Sequence, residues 1–265
     1  EVFKSWEDFY NEIVDYVTKL KEPYFVWILL LDTHHPYLVP RKFRVESLFG
    51  MLYYNLKMQI GAHLNDKEKS KLINLYDECI RYADLFIKTL AKDLRDDDPI
   101  FVIHADHGEG FGEHGFYGHP PYLYEEIIHV PLVIYNADIR GTIKKPVSLL
   151  GLSPTILELI NEENEFSHRS FFDTDAKWVI SKVFENGKRK LAIRMKDWKF
   201  IVGQKNIDEL YNLRRDPYEK ENLIDEYPSF VKELRKIVDS HIKHELEVKK
   251  IQNSVLRIKG LKNRE

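Results

Sequence analysis

A single cysteine, Cys79, occurs among the 265 residues. It can close no intrachain disulfide and build no thiolate zinc site, which favours a reducing compartment and, weakly, a cytoplasmic one. Long apolar runs are scarce too. The longest, residues 24–31, is far too short to span a bilayer, so no transmembrane segment is expected. Glu1-Val2-Phe3-Lys4 has neither a signal-peptide layout nor an initiator methionine. Excess charge of one sign is missing: 40 Lys and Arg against 43 Asp and Glu leave a formal net charge of -3, with no overall basic field to favour nucleic acid. Neither a low-complexity tract nor a repeat of fixed period is visible.

What is present suits a folded enzyme-sized body. Hydrophobic residues make up 43%, with 15 Phe, 15 Tyr and 4 Trp, enough for a core and for one large α/β domain or a core with an appendage. Ser5 reads as a helix cap, and Trp6, Phe9, Ile13, Tyr16, Val17 and Leu20 recur at helical spacing up to Lys21. After Pro23, residues 24–31 predict a strand buried on both faces. Residues 41–65 show no clear pattern. From Asp66 a long helix is predicted, with Leu72, Leu75, Tyr76, Cys79, Ala83, Phe86, Leu90 and Leu94 on one stripe and Cys79 in the core. Asp96-Asp97-Asp98-Pro99 reads as a solvated turn into a second buried strand over residues 100–105, and residues 130–135 read as a third. Beyond Trp178 the texture changes to short alternating runs, with Asn186-Gly187 as a hairpin turn, and Pro228 opens a last helix that trails into a mixed-charge end.

Both of the first two strands end in polar clusters, Asp32-Thr33-His34-His35-Pro36-Tyr37 and Asp106-His107-Gly108-Glu109. Strand ends are where open α/β sheets place their chemistry. Residues 106–119 hold carboxylates, imidazoles and five glycines. A carboxylate and an adjacent imidazole point apart along extended backbone, but a tight turn at Gly108 would let both reach one cation, which predicts a metal site. Two motif matches are rejected. Gly110-x-Gly112-x-x-Gly115 fits the dinucleotide pattern, but Gly118 and Pro120 interrupt the helix it requires. His107 and His114 are not the helical pair of a zinc protease. His104 reads as a core histidine, and His114 and His129 as structural.

These segments resemble the sulfatases of the alkaline phosphatase superfamily. The likeness is carried by Asp106-His107-Gly108-Glu109, Gly112-Glu113-His114-Gly115, Tyr124-Glu125-Glu126, Val130-Pro131-Leu132-Val133-Ile134, Leu152-Ser153-Pro154-Thr155 and Glu209-Leu210-Tyr211-Asn212-Leu213 with Asp216-Pro217. It covers nearly all of residues 24–223. The resemblance implies an alkaline-phosphatase-like sheet flanked by helices over residues 1–170, and a small C-terminal antiparallel sheet with a helix over 171–265. It further implies a hydrolase of sulfate esters, saccharide or other small-molecule, working with a divalent metal. Asp106 and His107 match a pair of metal ligands, and His34 matches a histidine touching the sulfate or leaving oxygen, with His35 as substitute. His119 falls where the family donates to the ester oxygen. Calcium comes first for the metal, with manganese or zinc as alternatives since an imidazole is among the ligands.

The family's formylglycine nucleophile arises from a Cys/Ser-x-Pro/Ala-x-Arg motif, and no such motif occurs in this sequence. Cys79, followed by Ile80 and Arg81 inside a helical pattern, is no substitute. The family's early Asp-Asp pair is missing as well, so the chain resembles the C-terminal portion of a sulfatase and is expected to be inactive alone. Two other readings remain open: phosphoryl chemistry, as in phosphonate monoester hydrolases or phosphoethanolamine transferases, and a non-catalytic binding or assembly module.

Overall fold

The computed structural model describes residues 5–173, 175–205 and 207–262. Residues 1–4 and the last residues of the mixed-charge end lie outside the described residues. The chain divides into two compact units, Glu1–Pro120 with Val130–Asp138, and Pro121–His129 with Ile139–Glu265.

In the first unit a 3-10 turn over Trp6–Asp8 is closed by the Ser5 amide donating to Asp8 Oδ2 at 2.8 Å. Helix α1 follows over Tyr10–Val17. It stops before the expected Lys21 because its last turn tightens: the amides of Lys19 and Leu20 bond the carbonyls of Tyr16 and Val17, three residues back. Helix α2, Leu48–Gln59, occupies part of the stretch that looked irregular. Ser47 caps it by accepting from the Gly50 amide at 3.0 Å. Its apolar residues lie all round, with Leu48, Phe49, Leu52, Tyr53 and Leu56 exposed while Met51 and Met58 are buried, so no stripe announces it.

Helix α3, Asp66–Asp93, fulfils the long-helix expectation and starts in a capping box: Asn65 Oδ1 accepts from the Glu68 amide and Glu68 returns the contact to the Asn65 amide, both at 3.0 Å. Its stripe serves two clusters. Leu72, Leu75 and Cys79 pack with Tyr37, Val39, Met51, Met58 and Phe111. Tyr82, Phe86, Leu90 and Leu94 pack with Trp6, Val17 and the inward side chains of the strand segments. Burial pushes the Cys79 thiol up to about 12, so it is an inert core residue.

Strand β1, Phe101–His104, follows the acidic turn, where Asp98 adopts a left-handed conformation. Gly110–Phe111 (β2) and Tyr117–Gly118 (β3) form a two-residue ladder, and β4, Leu132–Tyr135, pairs antiparallel with β1. Residues 24–31 depart from expectation. They are extended but join no ladder among the described residues, and only one row is covered. Tyr24, Val26, Ile28 and Leu30 pack on the α3 cluster, whereas Phe25, Trp27, Leu29 and Leu31 are exposed at 74%, 73%, 62% and 66%. A continuous apolar run announces two apolar faces, and here the described residues cover one of them.

The second unit contains α4 (Glu125–Ile128), α5 (Leu152–Leu159), a four-stranded antiparallel sheet and α6 (Pro228–Lys262). Its strands are β5 (Trp178–Glu185), β6 (Lys188–Met195), β7 (Trp198–Gln204) and β8 (Ile207–Asn212), in sequential order. The hairpin at Asn186-Gly187 has positive φ at both residues, as its turn chemistry required. One sheet face, with Leu191, Ile193, Phe200 and Leu210, packs against Val231, Leu234 and Val238 of α6. On the other face Lys199, fully buried, lies 3.0 Å from Glu125 and 2.8 Å from Glu219. Arg194 reaches the same Glu125 at 3.1 Å, and Tyr124 donates to Glu209 at 3.0 Å. Burial acts to raise the Glu125 carboxyl, but Lys199 and Arg194 outweigh it and hold the group below its ordinary range; for Glu219 burial wins.

Two outcomes follow. Lys199→Ala should cost about 3–5 kcal/mol in urea unfolding, since it strands buried carboxylates; a loss below 1 kcal/mol would show that the network is dispensable. At α3, hydrogen bonds from Lys57 and the Asn65 amide hold Glu68 down to about 2. A depressed folded-state value stabilises above the unfolded value of 4.5 and ceases to do so as pH falls through about 2. Glu68→Gln should therefore lower Tm at neutral pH, with the gap to the parent protein closing between those two values.

Candidate active site

The site residues all belong to the first unit. β1 delivers the chain end Ala105-Asp106-His107 beyond its ladder, and the glycine-rich loop then folds back. Reversal does not occur at Gly108 as expected. Positive φ falls instead at Gly112, Gly115 and Gly118, around the β2–β3 ladder. Gly110 is required by close approach: a Cβ there would sit 2.3 Å from the Phe116 ring and 3.1 Å from the Gly118 carbonyl.

The two proposed metal-binding residues nevertheless share one side. The exposed Asp106 carboxylate accepts from the His107 amide at 3.0 Å, and its Oδ1 lies 3.9 Å from His107 Nε2. His107 Nδ1 is 2.8 Å from the Gly108 carbonyl. A carbonyl only accepts, so Nδ1 carries the proton and Nε2 keeps its lone pair on the carboxylate side. Oxygen and nitrogen 3.9 Å apart can both reach one cation at bond lengths of about 2.0–2.6 Å. The donor set thus fits two corners of a divalent-metal site. Among the described residues no group of three or more His, Cys, Asp or Glu side chains could hold an ion.

His119 returns from the far end of the loop to stack on His107, ring centroids 4.1 Å apart and planes at 29°. His34 meets His119 edge-on at 5.6 Å. Asp106, His107, His119 and His34, drawn from positions 34 to 119, are thereby brought together. His35 is not part of the group. Its Nε2 faces the Asn55 carbonyl at 3.1 Å and its ring packs on Tyr37. His34 Nδ1 lies 2.6 Å from the His35 carbonyl, so its proton is on Nδ1 and Nε2 is available. Of the remaining histidines, His104 is half-buried with Nδ1 3.1 Å from the Ala105 carbonyl, while His129 is exposed, 3.9 Å from Glu125 in the second unit.

Two supporting residues escaped, or nearly escaped, sequence reasoning. Glu109 has a 5% exposed side chain whose Oε1 lies 3.4 Å from His119 Nδ1. That places the imidazole proton toward Glu109 and leaves the Nε2 lone pair to the other side of the ring. Tyr37 is completely buried, and burial first, then the Glu109 carboxylate, keeps its phenol protonated. Asn55 is the other. Its Oδ1 accepts from the Tyr37 amide at 2.7 Å and its Nδ2 donates to the Tyr37 and Met51 carbonyls at 3.0 and 2.9 Å. It lies inside α2, whose lack of a stripe concealed it. A polar residue framed by Met51 and Met58 was the available signal. Asp32, at the start of the same loop, is raised by burial, partly offset by its own backbone amide.

A family model described as sulfatase matches residues 2–162, more than half of the chain. The chain belongs to the sulfatase family. It is 24% identical over 268 residues to an uncharacterized sulfatase, YidJ, of Escherichia coli K12, covering 82% of this chain and 50% of that protein. A Δ4,5-hexuronate-2-O-sulfatase of Bacteroides thetaiotaomicron is 25% identical over 219 residues, covering 70% and 44%. Among solved structures, the phosphonate monoester hydrolase of Agrobacterium radiobacter superposes with a TM-score of 0.70 at 15% identity, covering 89% of this chain and 60% of its own. The fold is the alkaline-phosphatase-like fold of sulfatases, with its small C-terminal sheet and helix. This sulfatase-family chain spans about half the length of the curated relatives it matches.

Asn55→Leu should deprive the buried Tyr37 amide and carbonyl of partners, at about 1–3 kcal/mol for each group left unsatisfied. Thermal unfolding would register it as a clear drop in Tm; an unchanged Tm would mean that the loop holds its shape without this side chain.

Proposed function

We propose that this chain supplies the metal-binding and leaving-group side of a sulfate ester hydrolase acting on a sulfated saccharide or similar small ester. The observation that carries the reading is the convergence of Asp106, His107, His119 and His34, with a lone-pair-bearing nitrogen of His107 beside an exposed carboxylate and another on His34, whose ring meets His119. Asp106 and His107 would hold a divalent cation, calcium first and manganese or zinc as alternatives. Such an ion, when bound, offsets the negative charge that develops on the transferred group.

The chain's own groups have separate tasks. His119, backed by Glu109 on Nδ1, is set to present Nε2 to the ester oxygen, where a protonated imidazole can donate to the departing alkoxide. His34 presents Nε2 to a sulfate oxygen as hydrogen-bond partner from the neighbouring loop. The aromatic stack between His107 and His119 fixes both ring planes, so little reorganisation is required when an ester arrives. No nucleophile in the formylglycine motif occurs in this sequence, and Cys79 is buried with its thiol protonated. The attacking group is therefore assigned to polypeptide outside this chain. The chain alone is accordingly expected not to turn over substrate.

A second reading is phosphoryl chemistry. It is favoured by the likeness to the phosphonate monoester hydrolase, since the same groups would serve a phosphonate or phosphodiester. Turnover of an aryl sulfate, a phosphodiester and a phosphonate monoester by the complete enzyme containing this chain separates the two. Asp106→Ala combined with His107→Ala should lower turnover of the preferred ester at least a thousandfold, with unchanged folding by circular dichroism. Retained turnover would refute the metal roles. By calorimetry the isolated chain should bind calcium weakly, because only two donors converge; tight stoichiometric binding would contradict a site shared with other polypeptide.

A further inference from the structure

The four-stranded sheet of the second unit has two unlike edges. At β8 the chain covers its own: the Leu210 carbonyl accepts from the Leu223 amide at 2.8 Å, and the Leu210 amide donates to Asn222 Oδ1 at 2.9 Å. A register shift between Ile201 and Gln204 further interrupts the ladder there. β5 is different. It pairs with β6 along its whole length, from Trp178 opposite Met195 to Glu185 opposite Lys188, and on its other side joins no ladder and makes no main-chain hydrogen bond among the described residues. No residue of β5 is buried, and Trp178 and Phe184 are 37% and 55% exposed. Proline, glycine and bulges, which blunt free edges, are absent from it, and its one lysine, Lys182, turns its ammonium onto Glu245 of α6. The two-residue loop at Asn186-Gly187 is closed by a hydrogen-bonded pair, Glu185 with Lys188, so the alternation along β5 aims the main-chain groups of Phe184, Lys182, Ile180 and Trp178 at the open side. Such a row is a template for another strand.

We infer that β5 is an interface with a second copy of this chain, pairing antiparallel with β5 of that copy about a two-fold axis at Ser181 and joining the two small sheets into one. The occupant follows from self-complementarity. Symmetric pairing must bring open-side residues against open-side residues, and registers centred on Ile180, Ser181 or Lys182 do so with most of the strand paired. Centring on Lys182 sets two ammonium groups opposite each other, and centring on Ile180 sets Glu185 against Asp175 of the second copy. Centring on Ser181 avoids both. Trp178 then meets Phe184, Val179 meets Val183, and Ile180 meets the aliphatic stem of Lys182, each across the two copies. Glu185, already 2.7 Å from Lys190 in its own chain, gains Lys177 of the second copy, and by symmetry this opposite-charge pair closes the ladder at both ends. Matched aromatic, β-branched and charged pairs in one register commit the free edge to its own likeness. The inference stands on the unpaired backbone of the second unit and is independent of the proposed function.

Light scattering and cross-linking of the chain test it. Strand pairing alone makes a small interface, so the scattering mass should climb from one chain to two as concentration rises through the micromolar range. Ser181→Cys should then become a covalent dimer under copper phenanthroline, because the axis sets the two side chains opposite each other in a non-hydrogen-bonded pair with Cα atoms about 4.5 Å apart, within disulfide reach. Val179→Cys should not, since its two copies lie four residues out of register, roughly 14 Å apart. Cys79 takes no part in either reaction, its buried thiol being pushed up to about 12. Lys177→Glu, at an exposed position, should weaken the dimer at least tenfold by opposing Glu185, with the circular dichroism unchanged. Four results would overturn the inference: a chain that stays monomeric up to millimolar concentration, a dimer in which Ser181→Cys forms no covalent pair, equal cross-linking of the two cysteine variants, or a dimer of unaltered strength in Lys177→Glu.

Discussion

The stripe along α3 is the constraint on which the rest of the first unit depends. Its first half, Leu72, Leu75 and Cys79, holds Tyr37 and Val39, and with them the loop that ends in His34. Its second half, Tyr82, Phe86, Leu90 and Leu94, holds the strand segments, including Phe101 of β1, from whose end Asp106 and His107 project. One helix thus sets the separation between two loops far apart in sequence. Catalytic geometry demands placement within a fraction of an ångström, and a packed helix face delivers that better than a loop could.

Around that platform, polar contacts refine what apolar packing leaves loose. Asn55 fastens the main chain of Tyr37 from α2, and Glu109 faces His119 from within the glycine-rich loop. Neither residue stands in the row of side chains that would meet an ester. Both act by fixing the direction of a neighbour, and each depends on burial, which strengthens a hydrogen bond or a charge contact and penalises its loss. A similar economy governs the second unit, where Lys199 draws Glu125 and Glu219 onto one sheet face.

The glycine-rich loop shows how composition and conformation divide the work. Its glycines announced a sharp reversal, and one exists, but at Gly112, Gly115 and Gly118 rather than at Gly108. Asp106 and His107 share a side because the carboxylate takes the next amide and the imidazole is turned by the Gly108 carbonyl. Local side-chain to main-chain bonds of this kind leave no periodic trace in a sequence.

Read alone, the sequence determined whatever depends on local chemistry and period: the α3 stripe, the Asn186-Gly187 hairpin, the C-terminal sheet and helix, the core fate of Cys79, and the family likeness carried by Asp106-His107-Gly108-Glu109. It favoured His34 over His35 on family likeness alone, concealed α2 and Asn55 behind an apolar girdle without a stripe, and promised residues 24–31 two covered faces where the described residues provide one. Those outcomes were decided by the tertiary structure, because each depends on contacts between segments tens of residues apart. Periodicity records which side chains avoid water, whereas only the assembled packing states what they meet instead.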